Sequence, residues 1–151
     1  MKHHYEVDLK WESHRKGTLT SPVLDQSVEV ATPPEFPKGM EGIWSPEHLF
    51  VSSISSCLMT TFLAIAEYSK LEFNSFDVKA IGTLEKVDGK PMISRIVLKP
   101  LLIIPDDKLR EKAERILHKA EKGCLISNSI TSEIVFEPAI EIEEKNPAAY
   151  L

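Results

Sequence analysis

Cysteine is scarce. Cys57 and Cys124 are the only two thiols in 151 residues. That excludes a secreted disulfide scaffold, and two cysteines so far apart do not begin a zinc site. Positive charge is also short: 18 Lys+Arg against 23 Asp+Glu leave a net charge of −5. Polyanions are not attracted to such a chain, which argues against nonspecific binding to nucleic acid or anionic membrane. The start, Met1-Lys2-His3-His4-Tyr5-Glu6-Val7-Asp8, lacks an apolar core of signal-peptide length. A cytoplasmic location is therefore expected, where thiols rest reduced and a disulfide is transient rather than structural. There is no phosphate-cradling glycine loop, nucleophile elbow, internal repeat or low-complexity tract. His3 and His4 are adjacent in the N-terminal segment and read as solvated residues, not metal ligands. Neither a metal nor a bound organic cofactor is expected.

Apolar residues make up 42% of the chain, enough for a real core, and the length predicts a single domain over 1–151. Tyr5, Val7, Leu9 and Trp11 alternate with polar residues, the period of a half-buried strand. Further strands are expected at 18–24 and 28–31. Residues 32–42 carry Pro33, Pro34, Pro37, Gly39 and Gly42 and read as an ordered loop.

Ser45-Pro46-Glu47 is a strong helix start. Serine caps free amides, proline suits the first turn, and glutamate complements the positive dipole end. The helix is expected to reach about Ser69. Residues 49–66 carry no formal charge and reach the minimum membrane span of about 18 residues. Six hydroxyls within them (Ser52, Ser53, Ser55, Ser56, Thr60, Thr61) and charged flanks fit a helix buried in protein better. Its apolar side chains cover most of the circumference, so it should be buried on all sides. One small subunit could hardly surround it, which predicts a dimer burying two such helices together.

A hairpin is expected from strands 76–87 and 93–104 around Asp88-Gly89, with Pro100 weakening the outer half. An amphipathic helix over 106–122 follows, with Glu111 and Arg115 as an i, i+4 pair and Gly123 as its C-cap. Ile134, Phe136, Ile140 and Ile142 predict a last strand, bent or edge-placed at Pro138. The tail 143–151 is expected to be partly ordered.

Two motifs make the chain resemble the OsmC/Ohr family of organic-hydroperoxide reductases. One is Ser45-Pro46-Glu47-His48-Leu49-Phe50 with Ser55-Ser56-Cys57 on the same helix. The other is Lys119-Ala120-Glu121-Lys122-Gly123-Cys124-Leu125-Ile126-Ser127-Asn128-Ser129. The resemblance covers nearly the whole chain. It implies an α+β fold: an OsmC-like intertwined homodimer, with antiparallel sheets wrapped around two long central helices. It also implies roles. Cys57 matches the peroxidatic cysteine, Cys124 the resolving cysteine, and Glu47 the carboxylate of the Pro-Glu pair. Arg15, in His14-Arg15-Lys16-Gly17, matches the arginine between the first two strands. Leu125 stands where the family often has proline. The implied partners are an organic hydroperoxide and a dithiol reductant such as a lipoyl protein.

The chemistry sets requirements. A thiolate attacks the peroxide and becomes a sulfenic acid, which the second thiol converts to a disulfide. Burial raises a thiol's pKa, and the helix dipole fades within the first turn, whereas Cys57 lies about three turns in. A cation is therefore expected to ionise it, and Arg15 is the candidate because its charge survives burial. Glu47 and Cys57 are ten positions apart, about 15 Å along a helix. Arg15 and Glu47 are thus expected to reach Cys57 across the dimer. His48, nine positions from Cys57, is a poor base for it, which disfavours a Cys–His hydrolase. Leu49, Phe50, Leu58 and Phe62 give Cys57 apolar surroundings suited to an organic peroxide. Two other readings share the fold: a non-enzymatic dimeric stress protein or apolar-ligand scaffold, and a redox sensor switched by a Cys57–Cys124 disulfide.

Overall fold

The computed structural model describes residues 1–144, so the expectation for the rest of the tail lies outside the described residues. The chain forms two compact units, Met1–Phe50 and Val51–Leu151. The boundary falls inside a helix, and no linker separates them.

The first unit is an antiparallel meander of β1 (Asp8–Ser13), β2 (Lys16–Ser21) and β3 (Leu24–Ala31). Pro22 and Val23 form the second turn, so the strand expected over 18–24 ends early. Proline sets a turn dihedral there, and the Val23 amide donates to Ser21 Oγ at 3.5 Å. His14 and Arg15 form the first turn, with His14 at φ 50°. The alternation in β1 does not produce a half-buried strand within this chain. All six β1 residues are exposed, with Leu9 at 65% and Trp11 at 72%. The proline-rich loop is ordered as expected. Phe36 N–H donates to Pro33 O (3.1 Å), Gly39 N–H to Phe36 O (3.0 Å) and Met40 N–H to Thr32 O (2.9 Å).

Helix α1 (Pro46–Tyr68) starts as its sequence dictates. Ser45, fully buried, accepts the His48 amide at 3.2 Å, and its hydroxyl lies 2.7 Å from His48 Nδ1. Histidine thus takes the place that glutamate or glutamine holds in a capping box. The helix hydroxyls largely satisfy themselves. Ser55 and Ser56 donate to Ser52 O at 3.1 and 2.7 Å, and Thr60 donates to Cys57 O at 3.1 Å. Back-bonding of this kind lets an apolar helix carry many hydroxyls without orphaned donors. The helix is long and apolar enough to cross a membrane by length and composition. Within the chain, only the stripe Ile54, Cys57, Leu58, Phe62 and Ala66 is buried. Burial on all sides is therefore not achieved by one copy, and Met59 and Leu63 stay 40% exposed.

The second unit adds β4 (Ser75–Val87), β5 (Lys90–Ile104), α2 (Arg110–Gly123), β6 (Glu133–Phe136) and β7 (Ala139–Ile142). The β4–β5 hairpin turns at Asp88 (φ 50°) and Gly89 (φ 78°). Two positive φ angles match a two-residue turn of the twist that hairpins favour. β6 and β7 both lie parallel to β5, and α2 supplies the crossover that parallel pairing needs. They keep one register. Leu98 pairs with Phe136 and Leu101 with Ala139, which sets Pro100 opposite Pro138. β5 nonetheless runs unbroken through Pro100. Lys99 and Glu137 pair beside it at 3.7 Å.

Phe62 anchors this core. It is fully buried, stacks on Phe76 of β4 at 4.2 Å and meets Phe73 edge-on at 5.3 Å. Gly82 lets α1 lie close to the sheet, because a Cβ there would sit 2.5 Å from Val51 Cγ2. Phe62→Ala is expected to cost about 3–5 kcal/mol in denaturant unfolding. A loss below about 1 kcal/mol would show that the packing on Phe62 is dispensable.

Helix α2 is amphipathic as expected, with Ala113, Ile116, Leu117 and Ala120 buried and Arg115 donating to Glu111 at 2.8 Å. A short 3₁₀ turn, Asp107–Leu109, precedes it, capped by Asp106. Gly123 is the last helical residue rather than the cap. Cys124 occupies the cap, with extended backbone (φ −68°, ψ 107°).

Candidate thiol site

Cys57 projects from the buried stripe of α1, and Cys124 begins the turn that leaves α2. The chain has no disulfide among its described residues; both sulfurs are free thiols and both are buried. Each thiol influences the ionisation of the other. Cys57 is 9% exposed and Cys124 1%. Although Cys124 leads out of a helix, it is buried; Leu125 beside it, 65% exposed, takes the solvent side.

The turn 124–127 wraps both sulfurs. The amides of Ile126 and Leu125 favour ionisation of Cys57, and Thr61 Oγ1 lies 4.0 Å from its sulfur. The Ser127 hydroxyl donates to Cys124 Sγ at 3.2 Å, and the Ser127 amide donates to it as well. A 3₁₀ turn over Ser127–Ser129 holds this backbone, with Asn128 N–H donating to Cys124 O at 3.1 Å.

These donors set the ionisation order. Burial is the largest influence on Cys57 and pushes it up. The Ile126 amide, the Cys124 thiol, Thr61 and the Leu125 amide together outweigh it, so Cys57 lies below an ordinary thiol. Burial also pushes Cys124 up. Ser127 pulls it down, Cys57 pushes it further up, and the net direction is upward. The two thiols are thus shifted in opposite directions, Cys57 below and Cys124 above an ordinary thiol. Backbone amides of the same chain are one source of the offset to burial at Cys57.

The sign gives a testable pH profile. Thiolate is the reactive form, so Cys57 alkylation by iodoacetamide should reach half its plateau below the pH of a free thiol. Cys124→Ala removes a donor and should shift that midpoint up. A midpoint unmoved by Cys124→Ala would mean the thiols do not share a proton.

Other residues singled out in the sequence lie in the first unit or at the start of α1. Arg15 is exposed, makes no ion pair among the described residues, and borders a shallow depression with Leu9, Trp11, Val30 and Pro46. Glu47 is half-buried, and its Oε2 is buried with no hydrogen-bond partner. His48 is occupied with the Ser45 cap, and its ring meets Trp44 edge-on at 6.1 Å. Trp44 is 53% exposed. Leu58 and Phe62 are fully buried and cannot line a substrate mouth. No cluster of three or more potential metal ligands occurs among the described residues.

An α+β chain with one long apolar helix and a second thiol turned back onto it defines a dithiol protein of a known class. The OsmC-like protein family model matches residues 39–139, and the chain belongs to that family. Among curated proteins it is 28% identical over 138 residues to peroxiredoxin OsmC of Escherichia coli, covering 89% of this chain and 90% of that one. It is 25% identical over 140 residues to the uncharacterised protein YmaD of Bacillus subtilis, covering 87% and 89%. The OsmC-like protein VCA0330 of Vibrio cholerae superposes with a TM-score of 0.82 at 25% identity, covering 91% of this chain and 99% of that one.

Proposed function

We propose that this protein is a thiol peroxidase that reduces organic hydroperoxides. The observation that carries the reading is a pair of buried free thiols, Cys57 and Cys124, each of which shifts the ionisation of the other. The Cys57 thiolate attacks the terminal peroxide oxygen. The O–O bond breaks, Cys57 becomes a sulfenic acid, and the alkoxide takes a proton to leave as alcohol. Cys124 then attacks the sulfenic sulfur, the S–O bond breaks, and hydroxide leaves as water with the Cys124 proton. A dithiol protein, such as one carrying a lipoyl group, returns the disulfide to two thiols. The likeness to a protein named peroxiredoxin supports this chemistry.

The working form in this proposal is a cytoplasmic homodimer. Support comes from the apolar surface one copy leaves open: Leu9 and Trp11 on β1, and Met59 and Leu63 on α1. Arg15 and Glu47 complete the site across the dimer. Glu47 brings a buried oxygen that lacks a partner, and Arg15 brings an exposed guanidinium with no ion pair among the described residues. An arginine fork can hold that carboxylate and still offer a donor to sulfur or peroxide.

Turnover of cumene hydroperoxide with a dithiol reductant tests the proposal. Catalysis that vanishes in Cys57→Ser and in Cys124→Ser supports it; equal sluggishness in all three proteins favours a non-enzymatic scaffold.

A further inference from the structure

The peroxidase reading leaves Ser127 without a task, yet its side chain is aimed at a reacting atom. Its hydroxyl donates to Cys124 Sγ at 3.2 Å, not to a carbonyl of its own turn. Its neighbours behave differently. Ser129 donates to Leu125 O at 2.7 Å, and Asn128 Nδ2 to Lys122 O at 3.4 Å, both ordinary backbone-capping bonds. Ser127 also sends its amide to the same sulfur, so one residue supplies two donors to Cys124. Cys124 in turn influences the ionisation of Cys57, as do the amides just before Ser127.

We propose that Ser127 is a positioning residue for the resolving step, holding Cys124 Sγ towards Cys57 and stabilising Cys124 as it becomes a thiolate. The inference rests on the peroxidase reading for its step and on the 3.2 Å contact for its geometry. While Cys57 is the thiolate, Cys124 donates its proton to it and cannot act as a nucleophile. Once Cys57 is a sulfenic acid, that negative charge is gone. The proton of Cys124 is then free to leave with the departing hydroxide as water, and the sulfur pair forms the S–S bond. Charge appears on Cys124 only at this moment, where the Ser127 hydroxyl and amide already point. Donors set in place before charge develops need no reorganisation. In this proposal Cys124 is released for attack by the change at Cys57.

Two measurements separate this role from a structural one. In a Cys57→Ser background, the pH profile of Cys124 alkylation by iodoacetamide reports the donors on Cys124 without any peroxide chemistry. Ser127→Ala should move its midpoint up, and Ser127→Thr, which keeps a hydroxyl, should restore it. In the chain with both thiols, one equivalent of cumene hydroperoxide should leave a sulfenic acid, trapped by dimedone, that lives about tenfold longer in Ser127→Ala, the effect of one charge-assisted hydrogen bond. Ser127→Thr should return it to the original lifetime. An unmoved Cys124 profile together with an unchanged sulfenate lifetime would overturn the assignment. A chain that never forms sulfenate would end the peroxidase reading and the resolving step with it. The Cys124 titration would then still decide whether Ser127 acts on that sulfur.

Discussion

Cys57→Ser should abolish hydroperoxide turnover, and Cys124→Ser should abolish it for a different reason. A serine hydroxyl is neither ionised near neutral pH nor able to form a stable oxidised state with the peroxide oxygen. The expected loss in Cys57→Ser is therefore total, down to the rate of free reductant. Cys124→Ser retains a hydroxyl that can still donate to Cys57 Sγ, so Cys57 should stay partly ionised and consume one equivalent of peroxide. Turnover then stops, because no second thiol of the chain is available to close a disulfide with Cys57. The two variants must differ in stopped-flow experiments: no burst in Cys57→Ser, one burst in Cys124→Ser. A burst of equal size in both would place the reacting group elsewhere.

Mixed dimers should recover activity well above that of either parent. In Arg15→Ala the proposed cation is missing from every site; in Cys57→Ser the nucleophile is. If Arg15 serves the Cys57 of the partner subunit, a dimer with one subunit of each kind holds one intact site, with an unaltered Arg15 facing an unaltered Cys57. Random reassortment of equal amounts makes half the dimers mixed, so about a quarter of wild-type activity should return, as two-fold symmetry requires. If each chain completes its own site, none returns. Arg15→Ala alone should lower the peroxidation rate about 10²-fold, the scale for a lost electrostatic donor to developing charge. Loss of Arg15 with no effect on rate would leave the backbone amides of the 124–127 turn as sole stabilisers.

Much of this arrangement was legible in the sequence, for local reasons. Ser45-Pro46 sets the start of α1 because the cap, the ring dihedral and the charge at Glu47 all act within one turn. Asp88-Gly89 sets the hairpin because both residues tolerate positive φ. The stripe Ala113, Ile116, Leu117 and Ala120 follows from helical period alone. The features that escaped are non-local. Pro100 reads as a weak point in β5 until Pro138 is seen opposite it across the sheet. Gly123 reads as a left-handed cap, but the chain turns instead at Cys124. β1 alternates as a half-buried strand does, but all six of its residues are exposed. The largest miss concerned the donors on Cys57. Periodicity assigns side chains to faces, but it is silent on backbone amides pointing in from a turn nearly seventy residues away. Burial was anticipated; the amides of Leu125 and Ile126 that outweigh it were not.

The central claim is that two buried sulfurs of one chain form a single redox unit. Intact mass and peptide mapping after one equivalent of cumene hydroperoxide test it most directly. The account predicts a chain lighter by two hydrogen atoms, with Cys57 and Cys124 joined within one chain, and a Cys124→Ser chain heavier by one oxygen on Cys57. Thiols that remain reduced, or that join only between chains, would contradict it.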